Sequence, residues 1–392
     1  MARTLPIAAL FFLLCPLAAQ SRPYDFAPLD GMIQDAVHRV PLEGASMLLR
    51  KEGVDLYRKH FGRYGEKTVV PIASATKWIS ATVIMILADR GRLALDDPIG
   101  RYLPSFTGAK GAITIRQCFS HTSGLPGSHW IIGAKGLTLA RAAEYIGKNL
   151  ALQAAPGAVF DYGGVSMHVA GACAAKAAGK EWEALVQEVL TGPLGMKSVD
   201  YQGLGTTKNY RIAGGARCSL EDYGRMLQML LQGGTWKSRR ILSEKAVAEM
   251  FQDQTRGAKI VHTPHPDNRR YGIGVWLDRV DGGKRTLQVS SQGAFGFSPW
   301  IDLERNLAGV FLVKDALRKL HDRVDRMQAW IRGELHWAGV LAYGASTPAC
   351  AGPLAADTNG IPYTGNTAFA LACSQAPPAA AGVALLGFAP DP

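Results

Sequence analysis

Two hydrophobic periodicities alternate along the chain, and their order outlines its architecture. The stretch "LDGMIQDAVHRV" (29–40) spaces its apolar residues along one helical face, and "GASMLLRKEGVDLYRKHFG" (44–62) reads as two strands about a turn at Lys51-Glu52-Gly53. An apolar helix opens within "PIASATKWIS" (71–80). Ile79, Val83, Ile86 and Leu87 stand at helical spacing, and Arg90, Gly91 and Arg92 close it. From about Ala94 to Met250 the pattern is mostly helical, including "EYIGKNLAL", "SMHVAGACAAKAAG" and "LEDYGRMLQMLLQGG". Strand patterns return in "RYGIGVWLDRV", "RTLQVSS" and "SPWIDLERNLAGVFLV", before a closing helix in "LHDRVDRMQAWIRGEL" (320–335). Strands at both ends of the chain and helices between them predict an α/β fold. Its antiparallel-type sheet is assembled from both ends, flanked by helices, and carries an inserted, mostly helical subdomain.

The two termini differ in character from this pattern. The opening "MARTLPIAALFFLLCPLAAQ" combines Arg3, an apolar run from Leu5 to Leu14 and small residues at Ala18 and Ala19, which predicts a signal peptide over 1–19. That run is too short to span a bilayer, and Cys15 follows Leu14 rather than Gly or Ala, which argues against a lipid anchor. The main domain is expected over 20–335. An Ala/Gly/Pro-rich appendage over 336–392 is expected to be a small β element or disordered. The expected location is exported, periplasmic or extracellular, with no transmembrane anchor.

Charge and cysteines narrow the chemistry. The formal net charge of +11 favours anionic partners through long-range steering, but the basic residues are spread thinly and nucleic acid is not suggested. None of the six cysteines lies in a Cys-x-x-Cys pair, so metal and redox use are not expected. Cys118, Cys173 and Cys218 read as small buried residues. Cys350 and Cys373 fall in the tail, where export would permit a disulfide.

Lys77 is the anomaly. It stands in the first turn of its helix, where the macrodipole disfavours a cation by roughly 0.3–1 kcal/mol and a capping box would place Glu or Gln. Ser-x-x-Lys occurs once in the chain, at Ser74. One reading makes Ser74 an N-cap. The other uses the spacing: residues three apart on a helix are neighbours, so Lys77 reaches the Ser74 hydroxyl. Dipole and burial lower the lysine's proton affinity and make it a base, while the same dipole stabilises negative charge developing at Ser74.

Ser74-Ala75-Thr76-Lys77 is followed in order by "RGRLALDDPIGRYLP", "ITIRQCFSHTSGLPG", "PGAVFDYGG", "GPLGM" and "AGGARCSLEDYGRMLQMLLQGG". In that order the chain resembles the serine hydrolases of the β-lactamase and penicillin-binding-protein superfamily, in particular class C β-lactamases, their esterase relatives and D-alanyl-D-alanine carboxypeptidases. The resemblance implies a β-lactamase/transpeptidase-like fold with Ser74 as nucleophile and Lys77 and Tyr162 as its proton-transfer partners. The nearby cation is expected to lower the Tyr162 pKa. The family's Tyr-x-Asn is here Tyr162-Gly163-Gly164, so Gly164 leaves open volume where an amide usually stands. The Lys-Thr-Gly motif is best matched by Ser291-Gln292-Gly293, read as substrate-binding, with Gly293 admitting the substrate close to the strand. The N–H groups of Ser74 and Ala294 would form the oxyanion hole.

Other candidates are weaker. His121 in "SHTSGL" is expected to be structural support, and "HTPH" (262–265) lacks the carboxylate partner of a metal site. Neither Gly-x-Ser-x-Gly nor His-Glu-x-x-His occurs. The expected reaction is two-step acyl transfer through a Ser74 acyl-enzyme, with no cofactor or metal, on a small-molecule ester, amide or peptide-like substrate. Ser291 offers a hydroxyl where the family carries a cation, which favours small uncharged esters and a carboxylesterase-like activity over a β-lactamase or D-alanyl-D-alanine carboxypeptidase. Arg269, Arg270 and Lys284 are the candidates for restoring that cation. From another class, the two altered motifs suggest a binding or sensing protein with little turnover.

Overall fold

The computed structural model describes residues 24–337 apart from 256, 266, 267 and 269, together with the strands Ala355–Thr358 and Leu371–Ser374. The expected signal peptide lies outside the described residues. The chain divides into a main compact unit, Phe26–Gln328, and a second unit made of Met1–Asp25 and Ala329–Pro392. Within the second unit the two tail strands pair antiparallel, Ala355 opposite Ser374, and the Asp25 N–H donates to Glu334 Oε1.

In the main unit, helix α1 (Ala27–Arg39) leads into strands β1 (Gly44–Lys51) and β2 (Val54–Gly62). Glu52 and Gly53 join these strands with φ of +52° and +84°, the two positive values that a tight hairpin of the right twist requires. The helical insertion contributes α2 (Thr76–Asp89), α3 (Leu139–Asn149), α4 (Val165–Ala178) and α5 (Leu220–Leu231). Strands β3 (Trp276–Val280), β4 (Thr286–Ser290), β5 (Ser298–Asp302) and β6 (Leu307–Leu312) follow, then α6 (His321–Trp337). The sheet order is β2-β1-β6-β5-β4-β3, with every pairing antiparallel. Leu49 of the first hairpin pairs with Gly309, so the sheet is closed by residues from both ends of the unit, as the hydrophobic pattern implies.

Helix α2 occupies the centre. Every residue from Thr76 to Leu87 is buried, and an apolar surface on all sides is stable only when other elements cover it. Helix α5 lies between α2 and the sheet. A Cβ at Gly224 would stand 2.4 Å from Leu48 Cδ2, so glycine lets α5 rest directly on β1. The neighbouring Tyr223 donates from its hydroxyl to Ala75 O at 2.8 Å, tying α5 to the turn that carries Ser74. Cys118, Cys173 and Cys218 are fully buried free thiols, as expected.

Strand β3 is shorter than its hydrophobic pattern. Residues 272–275 cross α2 instead, with Gly274 at φ +76° and its N–H donating to Phe119 O. A Cβ there would meet Ala81 Cβ at 2.4 Å and Lys77 O at 2.9 Å, so the crossing needs glycine and the strand begins only at Trp276.

Gly309 supports the sheet in a related way, since a Cβ there would fall 2.1 Å from the Trp300 ring across the β5–β6 ladder. Gly309→Ala is expected to lower stability by about 1–3 kcal/mol through overpacking. Urea titration checks this, and an unchanged midpoint would show that the indole moves aside freely.

Candidate active site

Ser74 does not sit in the first turn of α2 but just ahead of it, in a 3-10 turn over Ala73–Ala75. That turn follows the short strand Val69–Pro71, which pairs with Arg217–Ser219. The Ile72 N–H donates to Ala216 O, and Thr76 Oγ1 accepts the Ala216 N–H. Two segments far apart in sequence are thereby stitched side by side. Ala73 takes φ +45°, a strained value for a residue with a Cβ, immediately before the serine.

The stitching brings Ala213 over Lys77. The lysine is 3% exposed, its Nζ donating to Ala213 O at 2.9 Å and lying 3.0 Å from Ser74 Oγ. Among the described residues no carboxylate pairs with it. Burial, and secondarily the charge of Arg211, brings its pKa down to about 7. The amine also stands 4.6 Å from the centroid of the Tyr162 ring.

The side chains of Ser74 and Trp276 neighbour the Tyr162 phenol and act to lower its pKa. The phenol departs from the sequence expectation. Burial raises it to about 12 and outweighs both neighbours, so at neutral pH the group is a proton donor and not a phenolate. The ring stacks on Trp276 at 5.2 Å and meets His121 at 4.6 Å. His121 is 2% exposed with φ +60°, and its Nδ1 accepts the Gly163 N–H at 3.4 Å. Burial and the Lys77 charge hold its basicity well below the usual range, which agrees with a supporting role.

The second motif is shaped by packing. A Cβ at Gly163 would fall 1.8 Å from Gly127 O, so this position takes no side chain. Gly164 borders the cavity over Ser74, but a Cβ there would come 2.9 Å from Ile132 Cδ1 and 3.5 Å from Ala213 Cβ, so the space is narrower than expected.

The third motif packs behind Ser74. Ser291 is buried, and its hydroxyl donates to Ser74 O at 3.2 Å. A Cβ at Gly293 would stand 2.1 Å from Ile72 O, so this glycine admits the nucleophile's own segment, not a ligand. A cavity of about 290 Å³ opens over Ser74, and its walls include Lys77, Gly127, Tyr162, Gly164, His168, Arg211, Ala213, Ala294 and Phe295. Ser291, Gln292 and Gly293 are absent from them. The N–H groups of Ser74 and Ala294 have no acceptor among the described residues, as an oxyanion hole requires.

Arg270 and Lys284 are exposed and do not line the cavity, and Arg269 lies outside the described residues. His262 is exposed and His265 packs against Trp276 at 4.9 Å. Among the described residues no group of three or more His, Cys, Asp or Glu comes together. Arg211, Ala213 and His168 were not singled out from sequence. The "AGG" motif marks the segment of Arg211 and Ala213, but nothing in it marks a carbonyl as the lysine's acceptor.

The chain is 30% identical to esterase EstB of Burkholderia gladioli over 45% of its length and 51% of that protein. It is also 30% identical to the D-alanyl-D-alanine-carboxypeptidase/endopeptidase AmpH of Escherichia coli over 38% of its length and 43% of that protein. The matches thus span about half the length of these relatives. A crystal structure from Bacteroides dorei with a provisional β-lactamase assignment superposes with a TM-score of 0.69 at 32% identity, covering 78% of this chain and 99% of that one. The family model for Beta-lactamase matches residues 29–334, a span that holds Ser74, Lys77, Tyr162 and Ala294 together, and the chain therefore belongs to the β-lactamase superfamily of serine hydrolases.

Proposed function

We propose that this protein is an exported serine hydrolase of carboxylesterase type that works through an acyl-enzyme on Ser74. The observation that carries the reading is a buried lysine, poised near neutral pH, 3.0 Å from the hydroxyl it would activate. Neutral Lys77 takes the proton from Ser74 Oγ as the oxygen bonds to the substrate's carbonyl carbon. The Ser74 and Ala294 N–H groups receive the charge that develops on the carbonyl oxygen. Tyr162, still a phenol, delivers a proton to the departing alkoxide and is reprotonated from the Lys77 ammonium. In the second step water gives its proton to the same pair, attacks the acyl carbon, and Ser74 recovers its hydrogen.

An ester is the favoured substrate because the cavity wall after β4 is Ala294 and Phe295, with Ser291 turned away to Ser74 O. That wall carries no cation for the carboxylate of a β-lactam or D-alanyl peptide. The similarity to esterase EstB supports the same choice. No helix among the described residues is long and apolar enough to cross a membrane; export rests on the N-terminal sequence.

Wild-type protein is expected to hydrolyse p-nitrophenyl butyrate with a higher kcat/KM than nitrocefin or a D-alanyl-D-alanine peptide. Ser74→Ala is expected to abolish turnover and fluorophosphonate labelling. Preference for nitrocefin or the peptide would replace the esterase assignment, and undiminished turnover by the variant would remove the acyl-enzyme.

The rate of acylation is expected to rise with pH along an acid limb centred at about 7, as folded Lys77 loses its proton. Single-turnover rates between pH 5 and 9 (roughly two units either side, where a single titration is complete) check this. A flat profile would remove Lys77 as the base.

Burial of the amine also has a stability sign. Lys77 falls from its ordinary 10.5 to about 7 on folding, so between those values the unfolded chain binds the extra proton and stability rises with pH. Below about 7 the folded protein must bury a charged amine. Lys77→Met is therefore expected to raise Tm while abolishing activity, with a larger gain at pH 6.5 than at pH 9.5, measured by calorimetry at both values (roughly below and well above the folded pKa).

A further inference from the structure

The cavity over Ser74 contains a cation that the reaction scheme does not use. Arg211 lines it, on the segment whose Ala213 carbonyl holds Lys77. Among the described residues its guanidinium has neither an ion-pair partner nor a hydrogen bond, and the cavity lining contains no Asp or Glu. Other arginines near this segment behave differently: Arg217 is held by Asp200, and Arg225 by Glu221. Leaving Arg211 unpaired beside a buried lysine works against the lysine's charged form, as its lowered pKa records.

His168, which also lines the cavity, keeps an unsatisfied nitrogen that is itself buried. His168 is 1% exposed, and its Nε2 lies 2.8 Å from Asn209 Oδ1. The Asn209 amide nitrogen donates to Ile131 O and Ala134 O, which fixes its oxygen as the acceptor, so the His168 proton is on Nε2. Burial keeps the ring neutral, with a pKa of about 4, and Nδ1 is then a buried lone pair without a partner. Arg211 is exposed at the cavity, so its unpaired donor fork is open to an anion carried by a ligand. The positive net charge of the chain draws such ligands to it.

We propose that Arg211 is an anion-recognition residue and that the preferred substrates of this enzyme carry a carboxylate, bound on the 211–214 wall of the Ser74 cavity. This rests on the acyl-enzyme reading and refines the sequence expectation of uncharged esters: the ester remains, and its charged group is taken by a different wall from the one that lost its cation. A carboxylate at Arg211 gains charge-assisted, bidentate hydrogen bonding that a methyl group cannot. It also offsets the repulsion between Arg211 and the Lys77 ammonium formed during acylation.

The test compares kcat/KM for p-nitrophenyl hemiglutarate with p-nitrophenyl butyrate, which places the anion on the acyl chain. A second pair, the butyryl esters of 3-hydroxybenzoate and phenol, places it on the leaving group. In wild type at least one anionic ester is expected to be preferred over its neutral counterpart. Arg211→Gln is expected to lower that preference by roughly 10- to 100-fold, the range for a lost hydrogen bond to a charged group. Arg211→Lys is expected to keep part of it and Arg211→Glu to reverse it. Arg211→Gln is also expected to move the acid limb for p-nitrophenyl butyrate to higher pH, because the field that depresses Lys77 is gone. Preference ratios unmoved in Arg211→Gln, with Ser74-dependent hydrolysis intact, would overturn the assignment of Arg211 and leave the acyl-enzyme standing. Absence of Ser74-dependent hydrolysis of any of the four esters would overturn both.

Discussion

An amine buried without a counter-ion sets the terms for the rest of this structure. A protonated Lys77 in that position would be costly, and the protein meets the constraint by weakening its basicity rather than by pairing it. The single carbonyl of Ala213 then has to be brought to the amine, which requires the 213–219 segment to run alongside the turn of Ser74. The backbone bonds at Ala216 and the hydroxyl of Thr76 do this work. A cluster of rings, Tyr162, Trp276, His121 and Tyr271, packs on another side, with the Tyr162 ring centroid 4.6 Å from the amine.

Three remote stretches meet at the serine, and glycines decide how near they come. Gly274 passes over α2 at Lys77, Gly293 presses the end of β4 against Ile72, and Gly163 lets the Tyr162 loop touch Gly127. Each is a backbone-to-backbone approach that any side chain would block. The hydroxyl, amine, phenol and N–H groups are thus held by contacts between main chains, which are stiffer than contacts between long side chains.

Periodicity exposed the elements that bury one face or all faces: the first hairpin, α2, α4, α5 and the paired strands of the C-terminal half. It misjudged places where local chain path overrides pattern. The 3-10 turn at Ala73–Ala75 reads as helix because its residues are small and helix-compatible, and the missing half of β3 reads as strand because Tyr271, Ile273 and Val275 alternate. Ser74, Lys77 and Tyr162 were legible as an ordered set of motifs. The environment of each was not, since burial decides the Tyr162 phenol and neighbouring backbone decides what Gly164 and Gly293 are for. Arg211 gives no signal in sequence at all, because its distinguishing property is the absence of a partner in three dimensions.

The closure of the sheet by Leu49 and Gly309 bears on how the molecule is born. The hairpin of β1 and β2 leaves the ribosome long before β6, so β1 has only β2 to pair with and its other edge must wait. Contacts of such long sequence separation close a large loop before they stabilise anything, so folding is slow and the waiting edge is open to wrong partners. The oxyanion hole proposed for this site spans the same gap, with one N–H from Ser74 and the other from Ala294. On that proposal a nascent chain carries Ser74 well before it can stabilise an oxyanion, and hydrolytic competence waits for Ala294 and the strands around it.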